Sequence, residues 1–154
     1  MKSNKLALLA LLLWVATIVT ITWFVVRGNT TAGTDGRTAV VMTDSERNLV
    51  LTEMRGLLSA VHGILDGINH NDMKQIATAA RLAGMGSAAD VNPALMAKLP
   101  LPFKQLGMSV HHDMDELAQA AESGKPAAQL QVMLTTSVAK CVACHSAWQL
   151  KAEK

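Results

Sequence analysis

The sequence predicts an all-α protein, namely an antiparallel four-helix bundle with one N-terminal transmembrane helix. An uncharged apolar run lies near the N-terminus, and four later segments carry apolar residues at helical spacing. Aromatic residues make up only 3% and Tyr is absent, so Ala, Leu, Val and Met supply most of the apolar content, which favours helices over strands. We therefore divide the 154 residues into a transmembrane anchor (1–27), a flexible linker (28–43) and a helical domain (44–154).

The anchor is predicted from residues 6–26, which carry no formal charge. As a helix this run would be ~31 Å long, which matches the hydrocarbon thickness of a bilayer. A cleaved signal peptide is the alternative, but its apolar region is usually about 7–15 residues long and ends in small residues. Lys2 and Lys5 precede the run and only Arg27 follows it, so the positive-inside rule places the N-terminus in the cytoplasm. The expected location is the bacterial inner membrane, with a single span and the remaining domain in the periplasm.

The segment after the anchor, GNTTAGTDGRTAVVM, is rich in Gly and Thr and shows little apolar periodicity. If it is flexible, about 15 such residues have a root-mean-square reach of roughly 20 Å, which would let the domain move over the membrane surface. The alternative is that Val40, Val41 and Met42 pack onto the domain and shorten the free linker. Both interpretations stay open at this point.

Four helices are predicted in the domain. Their approximate ranges are 44–69, 71–84, 102–123 and 126–148. Thr43 and Glu46 form a capping box at the start of the first helix, and Asn92-Pro93 is predicted to begin one short turn within the longest connection. Most of the other connections are short, so the helices are expected to close as an antiparallel bundle.

The motif that carries chemistry is Cys141-Val142-Ala143-Cys144-His145. This C-x-x-C-H pattern is typical of c-type haem attachment, in which two thioethers hold the porphyrin and the histidine binds iron. On a helix the three side chains share one side. The chain has no other cysteine for a four-cysteine zinc site or a disulfide framework. The alternatives are a chance match and a dithiol redox pair, and the second belongs near a βαβ pattern that the domain lacks. We expect one covalent haem c.

Four helices with this motif near the end of the last one resemble the class II cytochromes c, the cytochrome c prime family. The resemblance covers roughly residues 44–151 and includes Glu53-Met54-Arg55, the segment 99–103 and Trp148. It implies a haem within the bundle, with His145 as the proximal ligand. It also implies that Met54 occupies the distal position, as in low-spin members, and that Arg55 can pair with a haem propionate. The membrane anchor departs from the family, whose members are mostly exported soluble proteins.

Met54 lies seven residues before Val61 and so belongs to the apolar stripe of the first helix, where a methionine can also simply fill space. With His145 and Met54 as axial ligands, the iron would be six-coordinate and would exchange no substrate, so we expect a single-electron carrier and not an enzyme. Two alternatives remain: a haem protein that binds NO or CO, and a haem subunit of a larger membrane redox complex.

The other histidines are weaker candidates. His62 is expected to flank the site and His70 to lie at the end of the first helix, while His111 and His112 border acidic residues of the third helix. Those acidic residues are Asp113, Asp115 and Glu116. A metal site there is disfavoured because adjacent histidines project in different directions on a helix, so a solvated charged face is expected. Lys140 and Lys151 form either a docking patch near the haem or ordinary helix C-terminal cations.

The net charge of the domain indicates which classes of partner it can bind. Lys2, Lys5 and Arg27 are three of the 14 basic residues and Asp35 is one of the 12 acidic ones, which leaves 11 of each from Arg37 onward. A neutral domain of this kind indicates no nucleic-acid partner. The expected partners are the membrane and redox proteins whose identity the sequence does not give. A homodimer and a subunit of a membrane complex both stay open.

Overall fold

A computed structural model describes residues 2–88 and 92–153, and most of these residues are helical. The helices are α1 (Lys2–Arg27), α2 (Asp44–His70), α3 (Met73–Arg81), α4 (Pro93–Lys98), α5 (Leu101–Glu122) and α6 (Ala127–Ala147), with a 3₁₀ helix at Met85–Ala88. The strands are β1 (Thr30–Ala32), β2 (Thr38–Met42) and β3 (Trp148–Ala152). The predominantly helical character is confirmed, whereas the small sheet was not predicted. Residues 89–91, within the predicted long connection, lie outside the described residues.

Helix α1 has the character that the sequence predicts for the anchor. Its segment Asn4–Arg27 is 24 residues long and apolar enough to cross a membrane. The hydroxyl of Thr17 donates to the Leu13 carbonyl at 2.9 Å, so this polar group is satisfied within the helix. At the C-terminal end the Arg27 guanidinium lies 5.6 Å from the centroid of the Trp23 ring, in a cation–π contact. One apolar N-terminal helix of membrane length is therefore present.

The predicted helix starts are largely confirmed. The Thr43 hydroxyl accepts from the Glu46 N–H at 3.3 Å, and the Glu46 carboxylate accepts from the Thr43 N–H at 2.8 Å, which completes the capping box of α2. Helix α2 ends at His70, and its C-cap residue, Asn71, has a left-handed φ of 54°. Asp72 then caps α3 by accepting from the Gln75 N–H at 2.9 Å. These signals place the ends of the helices within a few residues of the sequence prediction.

Four helices share one apolar core. Helix α2 packs against α3, α3 against α5, and α5 against α6, and α2 also contacts α6. We call this set of buried side chains the helical core; its largest fully buried members are Ile64, Ile76, Met114, Leu117 and Leu130. Buried alanines such as Ala80 and Ala118 let the backbones of these helices approach closely. The helical core therefore joins segments that span residues 44–147.

The prediction of a flexible linker over 28–43 is wrong for β1 and β2. Strand β1 pairs antiparallel with β2, and β2 pairs parallel with β3 from Thr38 opposite Trp148 to Met42 opposite Ala152. Val40 and Met42 are 0% exposed, so the alternative in which this segment packs onto the domain is the one found. The physical reason is that burying these two side chains offsets the entropy lost on ordering the chain.

The predicted fourth helix, 126–148, ends in the structure one residue earlier than expected. Helix α6 stops at Ala147, and Trp148 adopts an extended conformation with φ −128° and ψ 154°. The Trp148 ring packs edge-on against Phe103, with the ring centroids 5.8 Å apart. Both rings belong to a second cluster, which we call the sheet core; its buried members are Val40, Met42, Val50, Leu95, Leu99 and Phe103. The pairing of this segment with β2 and the packing of the two rings stabilise the extended conformation more than one further turn of helix would.

Helix α1 joins the domain without a free connection. The Gly28 N–H donates to the Phe24 carbonyl at 2.9 Å, and the next N–H, of Asn29, donates to the Lys98 carbonyl at 2.7 Å. Gly28 has a φ of +63°, and a Cβ at this position would lie 2.5 Å from the Lys98 carbonyl oxygen and 2.6 Å from the Pro100 nitrogen. Only glycine fits this junction, because it combines a left-handed conformation with close backbone contact.

Candidate cofactor-binding groove

A groove of about 390 Å³ lies between α2 and α6, with α5 beneath it. Its lining is Leu51, Met54, Arg55, Leu57, Leu58, Val61, Val110, Met114, Val138, Cys141 and His145. The volume falls within the ~300–1,000 Å³ typical of sites for cofactors and small ligands. Four of the five residues that the sequence predicts for the site, namely Met54, Arg55, Cys141 and His145, therefore meet in one groove.

The two cysteines face different surroundings. Cys141 lines the groove and packs against the helical core, with its sulfur 3.9 Å from the Ser137 carbonyl oxygen. Cys144 does not line the groove and packs against the sheet core. Both thiols are free and half-buried, and His145 is exposed while lining the groove. The motif thus lies where the two cores meet.

Both thiols favour their protonated form. Burial raises the pKa of the Cys141 thiol, and burial together with the nearby Cys141 raises the pKa of the Cys144 thiol. Dithiol redox proteins and cysteine nucleophiles depend on the opposite shift, because the thiolate is the reactive species. The surroundings of the motif therefore disfavour the dithiol redox alternative that the sequence left open.

Met54 and Arg55 occupy the opposite wall on α2. The Met54 side chain is half-buried, lines the groove and, like Cys144, packs against the sheet core. Arg55 is exposed at the rim, and its Nη2 donates to the Thr52 hydroxyl at 2.8 Å. No ion pair with Arg55 occurs in the part of the chain that the structure describes. Its charge is thus available to an anionic group bound at the rim.

The residues present fit a c-type haem. Eight of the eleven lining residues have aliphatic or thioether side chains, which suit the apolar face of a porphyrin. Two unpaired thiols and an imidazole stand on α6, and a thioether stands on α2, so the set of donor atoms is the one that holds haem in cytochromes c. The guanidinium of Arg55 at the rim matches the negative charge of a propionate.

The structure also brings Arg37 to the motif, although this residue was predicted to lie in the flexible linker. Its Nη1 donates to the His145 carbonyl at 3.2 Å and to the Trp148 carbonyl at 3.4 Å. Asp35 holds the guanidinium at 2.6 Å; this hydrogen bond raises the pKa of Arg37 and lowers that of Asp35. The dipeptide Asp35-Gly36 is a strong hairpin signal and was the local feature that would have revealed this turn.

The remaining histidines lie outside the groove. The expected solvated position is wrong for His111, which is 4% exposed; its Nδ1 lies 2.8 Å from the Ala83 carbonyl oxygen and its Nε2 lies 3.1 Å from a Glu53 carboxylate oxygen. Glu53 is the main reason that the pKa of His111 is raised. His62 and His70 are exposed, as expected.

The charged face of α5 gives little support to a metal site. Candidate ligand atoms of His112, Asp113 and Glu116 lie within 4.8 Å of one another, but Lys140 already binds the Asp113 carboxylate at 2.6 Å. A cation at this position would have to displace the lysine. The same ion pair removes Lys140 from the docking patch that the sequence suggested, whereas Lys151 is exposed.

No protein-family model, curated protein or solved structure matches this chain. The fold and the groove define its class in general terms. It is a predominantly helical protein with one N-terminal helix of membrane length and with two free thiols and a histidine beside an apolar groove.

Proposed function

We propose that the protein is a membrane-anchored c-type cytochrome that transfers single electrons through a covalently attached haem. The observation that carries this proposal is the groove between α2 and α6. It brings Met54 and Arg55 together with Cys141 and His145, although the two pairs are separated by more than eighty residues of sequence. A chance C-x-x-C-H on a helix has no reason to face an apolar groove with a thioether on the opposite wall.

Each residue has a part in holding the group. Cys141 and Cys144 would form the two thioethers, His145 would be the proximal ligand and Met54 the distal one, and Arg55 would pair with a propionate. With these ligands the bound haem supplies a one-electron Fe³⁺/Fe²⁺ couple whose potential is raised by the thioether. The aliphatic walls restrict water, and the half-buried Met54 side chain restricts the approach of external ligands.

The wider arrangement of the chain follows the resemblance to class II cytochromes c. In this proposal α2, α3, α5 and α6 are the four helices of an antiparallel bundle, and their shared helical core supports this. Helix α1 spans the bacterial inner membrane with its N-terminus in the cytoplasm, so that the haem domain lies in the periplasm. Lys2 and Lys5 before the span support that orientation. The partners are redox proteins at the membrane, and we propose neither an enzymatic activity nor a nucleic-acid partner.

Covalent attachment is tested on the full chain, produced in a bacterial host with c-type haem maturation and purified in detergent. Haem should stay with the polypeptide on a denaturing gel, and a Cys141→Ala, Cys144→Ala double variant should lose it. A wild-type chain that carries no haem after denaturation would refute the proposal.

Axial ligation is tested by absorption spectra of the oxidised and reduced protein, with and without CO. Wild type is expected to be low-spin and insensitive to CO, and Met54→Ala to become high-spin and to bind CO. Met85→Ala is the matched control, since Met85 is exposed and does not line the groove. A Met54→Ala spectrum identical to that of wild type would show that Met54 is not a ligand.

One observation favours a second candidate function. Met54 is only half-buried and its side chain is flexible, so a small ligand has a route to displace it. A wild-type protein that is high-spin and binds NO or CO would therefore be a gas-binding haem protein. The exposed side chains of α1 are compatible with a third candidate, a haem subunit of a larger membrane complex, which would co-purify with a stoichiometric partner in mild detergent.

A further inference from the structure

We propose that Arg37 is a positioning residue for the proximal histidine, and that its guanidinium also raises the reduction potential of the haem. This inference rests on the proposed function, because it concerns the group that His145 would bind. The hairpin of β1 and β2, which was predicted to be part of a flexible linker, thereby has a role at the motif.

The first support is the contact itself. Arg37 donates from one nitrogen to two backbone carbonyls, those of His145 and Trp148, across more than a hundred residues of sequence. His145 is the last member of the C-x-x-C-H motif, and Trp148 is the first residue of β3. The guanidinium thus bridges the end of α6 and the start of the strand that follows it.

The end of α6 needs such a donor. The last carbonyls of a helix have no N–H ahead of them in the helix, and a cation there is also favoured by the helix dipole. Many helices solve this with a glycine in the left-handed conformation, but α6 passes directly into an extended Trp148. The Trp148 N–H bonds the Cys144 carbonyl, and Arg37 supplies the donor for the next carbonyl, that of His145.

The guanidinium is held in place by its own hairpin. Its Nε and Nη2 donate to one oxygen of Asp35 at 2.8 and 2.6 Å, which directs Nη1 to the carbonyls. Gln149 of β3 donates to the other oxygen of Asp35 at 3.2 Å, and the Gly33 N–H donates to the Arg37 carbonyl at 2.8 Å. A lysine has no planar fork of this kind, so it cannot make both sets of contacts at once.

Two consequences follow for a haem bound by His145. A fixed backbone at residue 145 holds the imidazole ligand in one orientation, in the way that outer partners orient metal ligands generally. A positive charge beside the ligand also disfavours the oxidised iron relative to the reduced iron, because oxidation adds a positive charge. Asp35 opposes this effect, so removing either partner should shift the potential in opposite directions.

The test is a spectroelectrochemical titration of the haem-loaded full chain in detergent. Arg37→Gln is expected to lower the equilibrium constant for reduction of the haem about threefold. This corresponds to a reduction potential about 28 mV lower, because a tenfold change equals 59 mV for one electron. Arg37→Lys keeps the charge and should recover most of the potential. Arg81→Gln is the matched control: Arg81 is likewise held by carboxylates, those of Glu122 at 2.9 Å and Asp115 at 3.3 Å, but these lie on α5 and not at the motif. It should leave the potential unchanged.

The outcomes separate this inference from the proposed function. A wild type without covalent haem refutes the proposed function itself. Covalent haem with equal potentials in Arg37→Gln and Arg81→Gln overturns only the role of Arg37. If Arg37→Gln fails to fold, Asp35→Asn still decides, because it leaves the guanidinium without its counter-charge and should raise the potential. An unchanged or lower potential in that variant overturns the inference.

Discussion

Replacing Met42 by alanine tests whether the segment after α1 is part of the folded domain. Met42 is 0% exposed and packs in the sheet core. The substitution removes three heavy atoms beyond Cβ, and at ~0.8 kcal/mol for each buried methylene-sized group their transfer alone amounts to about 2.4 kcal/mol. The cavity that remains adds to this, so we expect a loss of about 2–5 kcal/mol in the free energy of unfolding.

The measurement is urea unfolding of the full chain in detergent micelles, followed by far-ultraviolet circular dichroism. The matched control is Met85→Ala, which makes the same chemical change at a methionine that is 39% exposed. The control is expected to change the free energy of unfolding by no more than about 0.5 kcal/mol. If Met42→Ala behaves like this control, Met42 is not buried and the packing of β2 described above is wrong.

Two further predictions concern buried contacts. The raised pKa of His111 means that its pair with Glu53 stabilises the fold fully below the ordinary value of 6.5 and loses this effect as pH rises through the raised value. Wild type should therefore lose stability as pH rises above 6.5, as measured by urea unfolding at several pH values, and Glu53→Gln should show a smaller slope; equal slopes would contradict the pair. Gly28→Ala should cost more stability than Gly124→Ala by the same measurement. Both glycines have positive φ, but only Gly28 meets backbone, at Lys98 and Pro100. Equal costs would show that the junction is loose.

The helices could be predicted from the sequence because their signals are local. Thr43 and Glu46 lie three residues apart and form the capping box that the structure shows, and apolar spacing along α5 indicated its buried face, which includes Val110, Met114 and Leu117. The sheet could not be predicted in this way. Strands β2 and β3 are five residues each and are separated by more than a hundred residues, so neither their pairing nor its parallel register leaves a local pattern.

In the candidate site, too, the residues with a local sequence signal could be predicted and those with only non-local contacts could not. Motif spacing identified Cys141, Cys144 and His145, and helical periodicity placed Met54 on an inward face; the structure puts all of these except Cys144 in the lining of one groove. Arg37 was missed because its contacts with the motif are non-local. A hairpin turn at Asp35-Gly36 was recognisable, but where that hairpin would pack depends on the tertiary fold.

The parallel pairing of β2 with β3 has a consequence for the order in which the chain folds. The partner of β2 is the strand Trp148–Ala152, which lies at the C-terminal end of the described chain. A ribosome adds roughly 5–20 residues per second from the N-terminus. Strand β2 therefore cannot pair with β3 until the whole segment between the two strands has been synthesised. Helices α2, α3 and α5 pack through nearer neighbours in sequence, so their contacts do not depend on β3. The pairing of β2 with β3 therefore forms after these contacts, beside the end of the helix that carries the two cysteines.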